Sequence, residues 1–142
     1  MTKSLARFAL AASAFVVAFA PVAEPASAAA ATKIYTHADS GRTVGVSHGA
    51  KFKVRLKVCE TCGYHWSFAK RPDKHVIVLK HKTDVSSAKP PAVGGINTVT
   101  WTFKAVGKGK TTMRLVEHSP AQQVTKHFRL TVKVHPRHVN GG

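Results

Sequence analysis

Acidic side chains are scarce in this sequence. Six Asp and Glu stand against 22 Lys and Arg in 142 residues, a formal charge of +16 with histidine neutral. The six are scattered, so no carboxylate pair suggests acid–base work and no Ser-His-Asp pattern stands out. An enzyme is therefore the least supported class. Long apolar runs are missing as well: the longest, residues 8–20, holds 13 residues, short of the roughly twenty that cross a bilayer as a helix. No membrane span is expected. Beyond residue 28 no stretch carries a sustained helical period, which argues against helix bundles and βαβ units. Cysteine occurs twice, as Cys59 and Cys62.

What is present begins with a leader. Lys3 and Arg7 precede the apolar run, and the next stretch ends in Ala26-Ser27-Ala28, the pattern of a secretory signal peptide with an A-x-A cleavage site. Residues 1–28 are expected to be removed near Ala28. Residues 29–142 are then a single secreted domain, extracellular or wall-associated, with short flexible ends and a monomeric state; an uncleaved N-terminal anchor is the alternative. The 114 residues beyond Ala28 suffice for one core and not for two. Without Lys3, Arg7 and Glu24, 20 basic and 5 acidic side chains remain, a charge of +15. Such a surface attracts nucleic acid, anionic cell-wall polymer or acidic protein, or serves only solubility or loose wall retention. Its charges are spread along the chain and form no single basic block.

The body of the chain alternates with period two. In KFKVRLKV, residues 51–58, Phe52, Val54, Leu56 and Val58 fall on one face and Lys51, Lys53, Arg55 and Lys57 on the other. The same pattern runs through Val99, Trp101, Phe103 and Ala105, and through Phe128, Leu130, Val132 and Val134. Residues 43–46, 76–79 and 111–116 are shorter candidates. Turn residues separate them: Gly41, His48-Gly49, Arg71-Pro72-Asp73, Lys89-Pro90-Pro91, Gly94-Gly95 and Gly107-Lys108-Gly109. Short half-buried strands at this spacing predict an all-β fold, an immunoglobulin-like antiparallel β-sandwich of about seven strands. Trp66 and Trp101 are expected in its core.

The C-x-x-C pair is read against that background. A redox dithiol of the thioredoxin type opens a helix in a βαβ pattern, which is not seen. Haem attachment needs His where Gly63 stands. A closed zinc site needs four ligands, and among nine scattered histidines only His135 and His138 have a close spacing. Neither metal nor cofactor is expected. An exported protein favours oxidised cysteines, so Cys59 and Cys62 are expected to form a disulfide that stiffens the loop after the strand at 51–58.

That loop carries a resemblance. CETCGYHW, residues 59–66, resembles the N-P-T-T-G-[FY]-x-W loop of the chagasin-like inhibitors of papain-type cysteine peptidases. Cys59, Glu60, Thr61 and Cys62 occupy the Asn, Pro and two Thr positions, and Thr61, Gly63, Tyr64 and Trp66 agree. Ala92-Val93-Gly94-Gly95 is similar to the family's G-x-G-G loop without its first Gly. Ser119-Pro120-Ala121, after His118, takes the place of R-P-W and keeps only Pro120. The order and spacing cover nearly the whole domain. The resemblance implies a sandwich whose three loops form a wedge in the cleft of a papain-like peptidase, the first loop over the catalytic Cys and His.

Two departures bear on that reading. Loss of the third-loop Arg and Trp removes residue types that often anchor interfaces, and Glu60 sets a negative charge in the middle of the expected contact. The competing reading is a binding module for anionic polymer, using the stripe of Lys51, Lys53, Arg55 and Lys57 and a second stripe of Lys104, Lys108, Lys110 and Arg114. His65 and His118 are the loop histidines nearest the wedge; a catalytic dyad of the two lacks a nucleophile.

Overall fold

Alternation of buried and exposed side chains shapes the strands Lys51–Val58 and Asn97–Ala105, and with less regularity the inner stretches of Gly109–His118 and Val124–His135. In the computed structural model, residues 16–18, 31–86 and 94–137 are described. The expected cleavage site at Ala28, together with Ala92, Val93 and His138, lies outside them. The strands are β1 (Lys33–Tyr35), β2 (Thr43–Ser47), β3 (Lys51–Val58), β4 (His65–Lys70), β5 (Ile77–Ser86), β6 (Asn97–Ala105), β7 (Gly109–His118) and β8 (Val124–His135). They form two four-stranded sheets, ordered β1-β3-β6-β5 and β2-β8-β7-β4. Among the described residues two short 3₁₀ turns interrupt them, at His37–Asp39 and Glu60–Cys62.

The core is the product of that alternation. Phe52, Val54 and Leu56 of β3 pair in register with Phe103, Trp101 and Val99 of β6, and all six are buried. In the other sheet Met113 and Leu115 of β7 pair with Leu130 and Phe128 of β8. Phe52 stacks on Phe103 with ring centroids 5.3 Å apart. Each such side chain contributes about 1.5–3 kcal/mol through burial. Truncating one, as in Trp101→Ala, would cost about 3–5 kcal/mol.

The sheets are mixed, a departure from the all-antiparallel expectation. β1 lies parallel to β3, and β2 lies parallel to β8. One N-terminal segment supplies an edge strand to each sheet, crossing between them at His37–Asp39. Asp39 fixes the crossing: one carboxylate oxygen accepts from the Thr36 amide at 2.9 Å and the other meets Arg42 at 2.9 Å. The described residues form eight strands where about seven are expected, because β1, of three residues, leaves no legible period. β5 is also longer than residues 76–79. Its continuation, Lys80 to Asp84, is exposed at an outer edge, so no apolar alternation marks it.

Candidate functional site

Strand register brings three connections to one end of the sandwich. Val58 at the end of β3 pairs with Asn97 at the start of β6, and His65 at the start of β4 pairs with His118 at the end of β7. The β3–β4 connection (loop 1, residues 59–64), the approach to β6 (loop 2, described from Gly94) and the β7–β8 connection (loop 3, residues 119–123) therefore lie together.

Loop 1 is the most constrained. Cys59 and Cys62 are joined by a disulfide with Cα atoms 5.2 Å apart, across the 3₁₀ turn at Glu60–Cys62. The Cys62 amide donates to the Cys59 carbonyl at 3.2 Å, and the Gly63 amide donates to the Glu60 carbonyl at 2.8 Å. Gly63 then reverses the chain in the left-handed region, φ 86° and ψ 9°. A side chain there would be strained, because Cβ crowds the following carbonyl. Glu60, Thr61, Cys62 and Gly63 are exposed, while Tyr64 is half-buried against the core. Trp66 is 7% exposed and donates its indole N–H to the Lys57 carbonyl at 3.1 Å; Trp101 is 2% exposed.

Side chains of loop 1 reach its neighbours. The Thr61 hydroxyl accepts from the Gly94 amide at 3.0 Å, joining loop 1 to loop 2. The Glu60 carboxylate accepts from the Asn97 side-chain amide at 3.0 Å. On the other flank Pro120 covers Gly63: a Cβ built on Gly63 would lie 2.8 Å from the proline ring. Gly95 is half-buried beside the exposed Gly94, whose φ is +82° and whose surroundings are open.

Loop 3 is a tight hairpin tip. Ser119 is buried, its amide donates to the Gln123 carbonyl at 2.8 Å, and its hydroxyl accepts from the Gln123 amide at 3.2 Å. Pro120 and Ala121 are exposed at the tip. Gln122 follows with φ 60°, closed by a bond from its amide to the Ser119 carbonyl at 2.9 Å.

Two supporting residues escape a reading of the sequence by loops. Asn97, 8% exposed, opens β6 and holds Glu60. Glu117, 2% exposed, lies beneath the end of β7, where Lys126 meets it at 3.1 Å and the Thr125 hydroxyl donates to it at 2.9 Å. Its signal was available: the inward period Met113, Leu115, 117 places a carboxylate where an apolar residue belongs, and such a charge needs partners.

The histidines form no catalytic dyad. The His65 and His118 rings stack 5.1 Å apart at 17°. His118 Nε2 lies 3.0 Å from the Ser67 hydroxyl, and its buried Nδ1 has no partner among the described residues, so none of their carboxylates orients the ring as a triad requires. Among the described residues no three His, Cys, Asp or Glu side chains gather as metal ligands. Nor does the second basic stripe assemble. Lys104 pairs with Lys51 in one sheet, whereas Lys110 and Arg114 belong to the other.

Comparison with known proteins bears on the fold and the family. The model of the chagasin family peptidase inhibitor I42 matches residues 45–134. Among solved structures, the cysteine protease inhibitor EhICP2 of Entamoeba histolytica has a TM-score of 0.63 at 18% identity, covering 73% of this chain and 96% of its own. Amebosin has a TM-score of 0.61, also at 18% identity, covering 73% and 98%. PbICP-C in complex with falcipain-2 has a TM-score of 0.49 at 14% identity, covering 75% and 91%. No curated protein matches the chain by sequence. The two higher scores carry the likeness of fold, and the family match spans well over half of the chain, which thus belongs to the chagasin family, whose members are peptidase inhibitors and not enzymes.

Proposed function

We propose that this domain is a secreted inhibitor of papain-type cysteine peptidases and that loops 1, 2 and 3 enter the cleft of the target together. The observation that carries this reading is the convergence of the three loops, tied by Thr61 to Gly94 and by Gly63 against Pro120. Loop 1 is the centre of the wedge. Its 3₁₀ turn, disulfide and left-handed Gly63 hold the backbone before contact, so little conformational freedom is lost on docking. A turn so closed on itself offers the catalytic thiolate no extended scissile peptide, and the wedge occupies the cleft without being cut.

The departures from the family pattern find a physical account. Glu60 is engaged by Asn97, so its charge is partly satisfied within the protein and the contact centres on Thr61 and Gly63. Loop 3 lacks the usual Arg and Trp and presents Pro120 and Ala121, small residues that fit a wall without anchoring to it. Affinity therefore concentrates on loop 1.

The test uses residues 29–142, oxidised, titrated against papain-type peptidases with a fluorogenic peptide substrate. Reversible competitive inhibition, with the inhibitor recovered uncut, is the expected result. A domain that inhibits none of them, or is cleaved within loop 1, overturns the reading. Export is checked separately: the N-terminus of protein collected outside the cell should begin near Ala29.

A further inference from the structure

The outward face of the sheet formed by β2, β8, β7 and β4 sets like charges directly opposite one another. Arg114 of β7 pairs with Arg129 of β8 and also with Lys70 of β4, and Lys110 pairs with Lys133 four residues along. All five side chains are exposed, and none makes an ion pair among the described residues. The only acidic residue in these four strands, Glu117, is buried on the inner side. Like charges directly opposite in a sheet are destabilising. A bound anion relieves that repulsion.

Sequence alone could not show this cluster, because its members come from three strands and meet only through the register. Neighbouring strands lie about 4.8 Å apart, so Lys70, Arg114 and Arg129 span about 10 Å across the sheet. The Lys110–Lys133 pair stands about 13 Å further along the strands. Between the two rows the Thr112 and Thr131 hydroxyls meet at 2.9 Å. The result is a track of cations along β7 and β8, its two rows separated by a threonine pair of which Thr131 is buried.

We infer that this face binds a linear phosphodiester polymer that carries no bases to stack, such as a polyol-phosphate chain. The Arg114–Arg129 pair favours phosphate, since guanidinium groups engage its oxygens through paired donors. Nucleic acid fits less well. Binding of single strands uses aromatic platforms. Trp66, Phe68 and Phe128 of these strands turn toward the core, and the ring beside Arg114 and Arg129 on the outward face is the imidazole of His127, a smaller platform than a Trp, Tyr or Phe ring. The surface lies apart from the three loops, so polymer retention and peptidase inhibition operate independently.

The experiment measures binding of poly(glycerol phosphate) to the full mature domain between about 50 and 200 mM salt, beside an oligothymidylate of equal charge. Arg114→Gln with Arg129→Gln is expected to weaken polymer binding on the order of tenfold at low salt. It should also reduce the slope of log affinity against log salt by about 1.4, two contacts at roughly 0.7 each. The same variant should melt no lower than the parent, because it removes a repulsion. Lys53→Gln with Arg55→Gln, on the opposite sheet, should change binding less than about twofold. Equal losses from the two pairs mean that bulk charge drives binding, which overturns the assignment. So does an unchanged affinity in the Arg114/Arg129 variant, or oligothymidylate binding as tight as that of the polymer.

Discussion

The two ends of the sandwich are held by different kinds of bond. At the end away from loop 1, the cross-links are mainly backbone to backbone: the Gly49 amide to the Ala105 carbonyl at 2.8 Å, Ala105 to Ala50 at 2.9 Å, and Val106 and Gly107 both to Val76 at 2.9 and 3.2 Å. At the loop end, the described backbone bonds of loops 1 and 3 stay within each loop. Loop 1 reaches its neighbours through side chains: the Thr61 hydroxyl to loop 2, the Glu60 carboxylate to Asn97 of β6, and Gly63 under the ring of Pro120 in loop 3. Backbone ties survive most substitutions, whereas side-chain ties do not. One end therefore keeps β3, β5 and β6 in register, and the shape of the other can be altered residue by residue without unfolding the domain.

That contrast can be broken by exchanging the consequences. The largest effect is expected from Gly107→Leu, where a Cβ would overlap the His75 carbonyl oxygen. Because backbone must move, about 3 kcal/mol of stability should be lost in a denaturant titration. Inhibition measured below the melting transition should not change. If the folded variant stops inhibiting, the two ends are not separable.

Gly63→Trp should show the reverse. The left-handed backbone costs a non-glycine residue about 1–2 kcal/mol of stability, and the added side chain must displace Pro120 or the target. Inhibition should weaken by about 30-fold or more, the cost of about 2 kcal/mol at a central contact. Replacing Cys59 and Cys62 together by Ser comes next. A cross-link closing so short a loop stabilises by at most about 2 kcal/mol, and inhibition should weaken less than for Gly63→Trp; an inhibition constant unaltered by this change would show that the 3₁₀ turn and Gly63 suffice. Thr61→Val is the mildest. It removes one hydrogen bond to loop 2, worth about 1 kcal/mol, and should weaken inhibition about fivefold while the melting temperature barely moves.

Legibility in the sequence follows the same division. β3 could be read to its exact bounds because Phe52 to Val58 alternates against four cations, and β6 and β8 nearly so. The parallel edge pairings could not, since alternation reports which face is buried and not the direction of the neighbouring strand. Polar β5 beyond Leu79 was illegible because an exposed edge imposes no period. At the loop end the order of the three loops was visible through the resemblance. The ties were not: nothing local in Glu60 points to Asn97, 37 residues on, and nothing in Pro120 points to Gly63. The basic faces were half legible. The β3 stripe lies within one strand, while the Arg114–Arg129 pair exists only once β7 and β8 are in register.

The central claim is that the end built from side-chain ties is the one that meets the target. Amide hydrogen exchange of the mature domain, free and saturated with an inhibited papain-type peptidase, tests it most directly. Protection should appear at residues 59–64, 94–96 and 119–122, with the exchange of residues 71–76 and 106–109 unaltered. Protection confined to residues 71–76 and 106–109, or spread over the outward face of β7 and β8 with loop 1 still exchanging freely, would contradict it.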